Sequence, residues 1–328
     1  MKKKYYPLFD ANLTYFIFAL LLIFVGSVVQ AWDFKYGMLI TEYGLVFAPV
    51  ILLGLMRHVD MKQALRLNPI KWKYTFMIFG IVLLALPITM TLNLTVIAIL
   101  SLFDKVLTLP IPTATSLQEF GVLFFIISIS AGICEETFFR GMILNAYEGH
   151  YSKRTAIIVS AVFFGLFHFN IQNLFGPIFL GLLFGYLVIE TNSLFAGILA
   201  HLINNGFAVV FMALANVFKS IGTEDIVAQQ QADIFQNPKM LFAAVALYAL
   251  ISCLTGVGVY ALFKALKREI ERDKALLTSS DQEIIPENED ILVEPSKTKQ
   301  VWYRQVHHLP VLGTCMLYVY YLIRHMSI

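Results

Sequence analysis

The sequence predicts an all-α fold, a polytopic bundle of about eight transmembrane helices, and three observations carry that expectation. Of the 328 residues, 58% are hydrophobic and 14% charged, where a soluble domain has about 25% charged. Mean hydropathy is +0.72. The apolar residues gather into runs of about 20, the length that crosses a bilayer core as a helix. Lysine and arginine then fall on alternate loops between those runs, as a chain threading back and forth through a membrane requires.

The first run, 13–31, follows Lys2, Lys3 and Lys4 and looks at first like a secretion signal. It has no small-residue cleavage site and is long enough to span, so it is expected to stay as an anchor. Runs at 38–56, 74–100 and 119–139 follow, then 155–170, 174–190, 193–214 and 240–263. Pro87 falls inside the third run, where it frees a backbone carbonyl and is expected to kink the helix; it is assigned no chemistry. An even number of spans puts both ends on one side. Lys2 to Lys4, the loop with Arg57, Lys62, Arg66, Lys71 and Lys73, the turn with Lys153 and Arg154, and the stretch 264–274 all fall on that side, which is expected to be cytoplasmic.

Residues 1–263 are treated as one membrane domain, with a motif core at 119–214, since no repeat of solenoid period is present. Residues 264–300 turn polar and acidic, interrupted by Pro286 and Pro295, and are expected to form a flexible cytoplasmic tail. At 309–323 the chain is apolar again for 15 residues, short of a full span and rich in tyrosine, so residues 301–328 are expected to hold an interfacial helix. The net charge of +2 gives no ground for binding nucleic acid. Cys134, Cys253 and Cys315 are too scattered for a disulfide framework or a zinc-finger pattern.

Against this apolar background, Cys134-Glu-Glu-Thr-Phe-Phe-Arg140 places three charges where each costs about 2.5–3.5 kcal/mol to insert. Glu136 and Arg140 are four apart on one helical face and can pair. Glu135 is rotated about 100° from Glu136 and has no helical partner, so it is the better candidate for a carboxylate facing a polar cavity. His168 in the fifth run has Phe164 one turn below it, and His201 and Asn205 in the seventh run share a face. Either histidine alone would more often be a satisfied core residue. Three helices that each contribute an ionisable group point to a shared site.

The chemistry such a site supports is hydrolysis. A glutamate can take a proton from water and return it to a leaving group, while imidazoles and an amide donate to a developing oxyanion. No Ser-His-Asp set, Gly-x-Ser-x-Gly elbow, phosphate-binding loop or His-Glu-x-x-His motif competes. Zinc held by Glu135, His168 and His201 stays open on spacing alone, although no cofactor is expected.

In order, Glu135-Glu136-x-x-x-Arg140, Phe164-x-x-x-His168 and His201-x-x-x-Asn205 resemble the three signature motifs of the CPBP intramembrane proteases. That family includes the type II CAAX prenyl endopeptidases and bacterial bacteriocin-processing and self-immunity proteins. Ala64-Leu-Arg-Leu-Asn-Pro69 is similar to a loop motif that precedes the third span in bacterial members. The resemblance implies an eight-helix bundle and a glutamate-dependent peptidase. It casts Glu135 as general base, His168, His201 and Asn205 as the water and oxyanion site, and Glu136, Arg140 and Phe164 as supports. It further implies a peptide or membrane-protein substrate, prenylated or leader-bearing, and a multi-pass place in a bacterial cell membrane.

Two other classes stay open. One is a scaffold or self-immunity protein that keeps the motifs for structure. The other is a transporter using Glu135 and the histidines as a proton relay, although it lacks the paired broken spans of repeat-built carriers. The topology leaves one tension: His201 is expected in the cytoplasmic half of its helix and His168 near the outer end of the fifth. A broken helix near Gly165, Asn170, Gln172 and Gly176 would bring the two together.

Overall fold

Nine helices build the described part of the chain, which in this computed structural model comprises residues 2–103, 105, 114, 116–218, 237–280 and 307–326. Helix α1 is Leu8–Trp32 and α2 is Phe34–Met56. They are followed by α3 at Trp72–Ser101, α4 at Leu117–Glu148 and α5 at Lys153–Leu166. Helices α6 at Phe175–Thr191, α7 at Leu194–Phe218, α8 at Pro238–Ser280 and α9 at Leu309–Met326 complete the set. Starts are set by polar side chains that satisfy the free N–H groups of a first turn. Asp33 accepts from Tyr36 N, Ser116 from Glu119 N and Ser152 from Thr155 N.

Seven of these helices are long and apolar enough to cross a membrane. The exception among the expected spans is α5, which has 14 residues. At 1.5 Å per residue it rises about 21 Å, less than the ~30 Å of a hydrocarbon core. Its end is a break, as the polar residues there suggested. Phe169 takes a left-handed φ of 45°, Asn170 accepts from Gln172 N, and a short 3₁₀ turn at Ile171–Asn173 leads into α6. Asn93 of α3 closes the break: it donates to Asn173 Oδ1 at 2.8 Å and accepts from Gly176 N at 3.0 Å. A Cβ on Gly176 would lie 2.6 Å from Asn93 Oδ1, so glycine is what lets the two meet. His168 lies just past the far end of this helix, and because the helix is short that end is well within the length of the longer helices around it.

Helix α4 is the axis of the bundle. Cys134, Phe138, Phe139, Met142, Ile143 and Leu144 are fully buried, packed with Tyr15 and Phe18 of α1, Val46 and Val50 of α2 and Phe163 and Phe164 of α5. Helix α3 runs unbroken through Pro87 and packs antiparallel to α8, with Thr91 hydrogen-bonded to Ser252 at 2.8 Å. Their shared end is tied by Lys71 and Lys73 to Asp273 and by Lys73 to Glu269. Helix α8 therefore continues well past residue 263, which corrects the expectation that a flexible tail begins at 264. The acidic stretch from Asp281 to Pro295 lies outside the described residues.

The basic loops meet at one end of the bundle. Lys3 bridges to Val59, Tyr6 N donates to Asn145 Oδ1, and Arg66 pairs with Glu148. The loop motif at 64–69 acts as a staple there: Arg66 O accepts from Leu194 N and Asn68 donates to Asn192 O, fixing where α7 begins. Helix α9 runs lengthwise beside α1. Asn12 donates to His307 O, Gly313 sits against Phe16, and Tyr318 shares a cluster with Ala19 and Phe169. Leu22 and Ile23 then border Tyr321 and Leu322. This parallel pairing departs from the expected interfacial helix, because α1 offers the short apolar face a partner along its length. It also carries Met326 toward the opposite end of the bundle from Leu8.

Candidate active site

The four motif residues meet at one cavity. A space of about 620 Å³ between α3, α6, α7 and α8 is lined by Glu135, His168, His201 and Asn205, together with Phe164. Its remaining walls are mostly apolar, including Leu83, Leu86, Leu180 and Phe211. The short α5 explains the meeting. Counting from the basic end, His168 lies 15 residues above Lys153 and Glu135 13 residues above Glu148, both about 20 Å up. His201 and Asn205 reach the cavity from the same end, 7 and 11 residues along α7 from Leu194, whose position is fixed by the staple loop.

Glu136 and Arg140 lie behind this cavity and are both fully buried. Arg140 donates from Nη1 to Glu136 Oε1 at 2.8 Å and from Nη2 to Gly181 O at 3.2 Å. Its guanidinium lies over the Phe164 ring at 4.5 Å and near Phe184 at 5.5 Å. His201 Nδ1 meets the same Glu136 Oε1 at 2.9 Å. The pair therefore does more than lower its own insertion cost: it orients an imidazole of the cavity wall. Gly197 allows this, since a Cβ there would lie 2.7 Å from Glu136 Oε2 and 2.8 Å from Val188 Cγ2.

The other polar groups are also held. His168 Nδ1 donates to Phe164 O at 2.9 Å, which leaves Nε2 as an acceptor. Phe164 packs edge-on against both His168 and His201, with centroids 5.3 and 5.7 Å away. Asn205 donates one amide hydrogen to Ile127 O at 2.9 Å and accepts from Asn204 at its Oδ1. Its second amide hydrogen remains for the cavity. Glu135 is 6% exposed, and its Oε2 has no hydrogen-bond partner.

A second space of about 360 Å³ touches the same site from the side of α1, α2 and α9, and Glu135, His168 and Asn205 border both. It brings in Glu42, which sequence reasoning missed. The signal was present, since Glu42 is an acid in the middle of the second apolar run and the cost of charge at that depth singles it out as it does Glu135. Asn93 and Asn204 were missed as well, and isolated amides in apolar runs carry a weaker signal. Among the described residues no three His, Cys, Asp or Glu side chains are grouped closely enough to hold a metal ion.

Residues 117–207 match the family described as Rce1-like, type II CAAX prenyl endopeptidase. The matched stretch contains both glutamates, Arg140, Phe164, both histidines and Asn205, so the resemblance drawn from the three motifs holds at the level of this family of peptidases. Together with the seven apolar helices it describes an integral, multi-pass membrane protein. No curated protein and no solved structure matches the chain.

Proposed function

We propose, from the premise that residues 117–207 form a segment like the type II CAAX prenyl endopeptidases, that the chain is an intramembrane endopeptidase with Glu135 as general base. Its substrate would be a membrane-associated peptide, prenylated or leader-bearing, hydrolysed with the basic end of the bundle facing the cytoplasm. One observation carries the reading: Glu135, whose Oε2 is unpartnered, lines the cavity that also gathers His168, His201 and Asn205.

The roles follow from which atoms are already engaged. His168 spends its Nδ1–H on Phe164 O, so its Nε2 accepts a hydrogen bond and holds a water beside Glu135. Glu135 takes that water's proton as the oxygen attacks the peptide carbonyl carbon. The oxyanion that forms accepts from the free amide hydrogen of Asn205. The His201 ring, held at Nδ1 by Glu136, offers its Nε2 as a second acceptor for the attacking water. Glu135 then gives its proton to the leaving amine as the C–N bond breaks. The mostly apolar walls suit a substrate presented from lipid and exclude bulk water, which strengthens each of these interactions.

The test is Glu135→Gln in the full chain, because an amide cannot accept the water proton. Membrane-protein N- and C-termini are compared in cells carrying the wild type or the variant, and cleavage of any peptide so found is then measured with purified protein. A loss of about 10²- to 10⁴-fold or more is expected for removal of a general base, with insertion and melting temperature unchanged. Activity should survive a tight chelator. Undiminished cleavage by Glu135→Gln would remove Glu135 as the base, no cleavage by the wild type would leave a scaffold role, and loss of activity to the chelator would replace the mechanism with metal chemistry.

A further inference from the structure

Glu42 is a second carboxyl group at the centre of the bundle, unused by the proposed chemistry. It lies in a locally widened stretch of α2, Ile40–Phe47, and is 2% exposed. Its Oε2 has no hydrogen-bond partner, and no cation pairs with it among the described residues. The cavity of about 360 Å³ that it borders is the one that reaches Glu135 from the side away from the apolar space. Both glutamates therefore line this one cavity, and each has a buried oxygen without a hydrogen-bond partner.

The groups around Glu42 are few. Helix α4 contributes Glu135 and Cys134, the break after α5 contributes His168, and α9 contributes Tyr321. Helix α1 offers Ser27 and Gln30 and α7 offers Asn205, none of them charged. The charged or ionisable side chains near Glu135 are Glu42, His201, Glu136 and Arg140. Two carboxyl groups that border one cavity and are themselves almost wholly buried are not both ionised.

We propose that Glu42 is a positioning residue for Glu135: across this cavity the two carboxyl groups hold one proton, and that proton resides on Glu42. The distribution follows from their partners. Glu135 has Arg140 and His201 within electrostatic reach, whereas Glu42 has no cation, so the negative charge settles on the group that must act as a base. A protonated Glu42 then donates toward Glu135 and holds it in place. Besides the two glutamates, Ser27, Gln30 and Thr41 are polar groups in a lining that is otherwise mostly apolar. The inference rests on the general-base reading of Glu135, and its test separates the two.

Infrared spectra of the full chain in lipid nanodiscs need no substrate. The wild type at neutral pH should show a protonated-carboxyl C=O band that is absent from Glu42→Gln and kept by Glu135→Gln. A band unchanged in Glu42→Gln, or lost in Glu135→Gln, would overturn the proposal. In the cleavage assay Glu42→Gln, which keeps an uncharged donor, should retain kcat, whereas Glu42→Ala should lower it about tenfold or more at unchanged KM, the worth of one hydrogen bond to a charged group. Full kcat in Glu42→Ala would equally overturn it. If Glu135→Gln cleaves like the wild type, the base reading fails, and the infrared comparison still decides where the proton sits. Melting temperatures of the variants exclude loss of fold as the cause, and the isosteric Glu42→Gln keeps the infrared test available if Glu42→Ala does not fold.

Discussion

Arg140→Met isolates the ionic layer beneath the cavity, and its cost can be worked from contacts. Arg140 and Glu136 are both fully buried and joined at 2.8 Å. Two unit charges about 4 Å apart attract by about 4 kcal/mol at an effective dielectric of 20, and removing one partner of a buried pair costs about 3–5 kcal/mol because the other charge is stranded. Methionine replaces the apolar stem of the arginine but not its cation over Phe164, worth about 0.5–2 kcal/mol more. The single variant should therefore lose about 3.5–7 kcal/mol, most of it the stranded Glu136 carboxylate. Adding Glu136→Gln removes that charge, so the double variant should regain most of the loss. Cleavage should stay low, since His201 no longer has a carboxylate to hold its Nδ1–H. Unfolding of the four proteins in detergent gives the coupling free energy directly. A single-variant loss below about 1 kcal/mol, or a double variant equal to the sum of its singles, would refute the claim that these residues act as one buried pair.

Gly197→Ala should cost about 1–3 kcal/mol by overpacking, because its Cβ would lie 2.7 Å from Glu136 Oε2 and 2.8 Å from Val188 Cγ2. Gly44→Ala, with nothing within 4 Å, is the control and should be neutral or stabilising in the same melt. Cys134→Ala should leave the cleavage rate near that of the wild type, since this buried thiol borders neither cavity, at a stability cost of about 1 kcal/mol for the small void. A hundredfold loss of rate there would instead point to thiol chemistry.

Most of the site was legible because charge in an apolar run is expensive and therefore conspicuous. Glu135, Glu136 and Arg140 stand out on that ground alone, and the i, i+4 spacing of His201 and Asn205 assigns them a common helical face. The same rule applied to the second run would have found Glu42. The amides are different: an asparagine in an apolar helix carries no charge, so nothing local distinguishes Asn93, which closes a backbone break, from one that is merely solvated. The break itself was visible as a cluster of glycine and polar residues, but its depth was not. Hydropathy runs on from α5 through Phe167 and Phe169, so the apolar segment is longer than the helix it contains.

Composition and periodicity alone determined that this chain is a bundle of membrane-crossing helices, where most of those helices lie, and which residues are costly enough to require a purpose. Those are local properties, set by the transfer free energy of each side chain and by the 3.6-residue turn. Tertiary structure decided the rest. That α5 ends early enough to bring His168 level with Glu135, that the Glu136–Arg140 pair reaches across to His201, that α9 lies along α1, and that Glu42 shares an enclosure with Glu135 all depend on how helices far apart in sequence pack. No local pattern encodes those distances, because they are fixed by close approaches such as Gly176 to Asn93 and Gly197 to Glu136, in which each residue has meaning only through its partner.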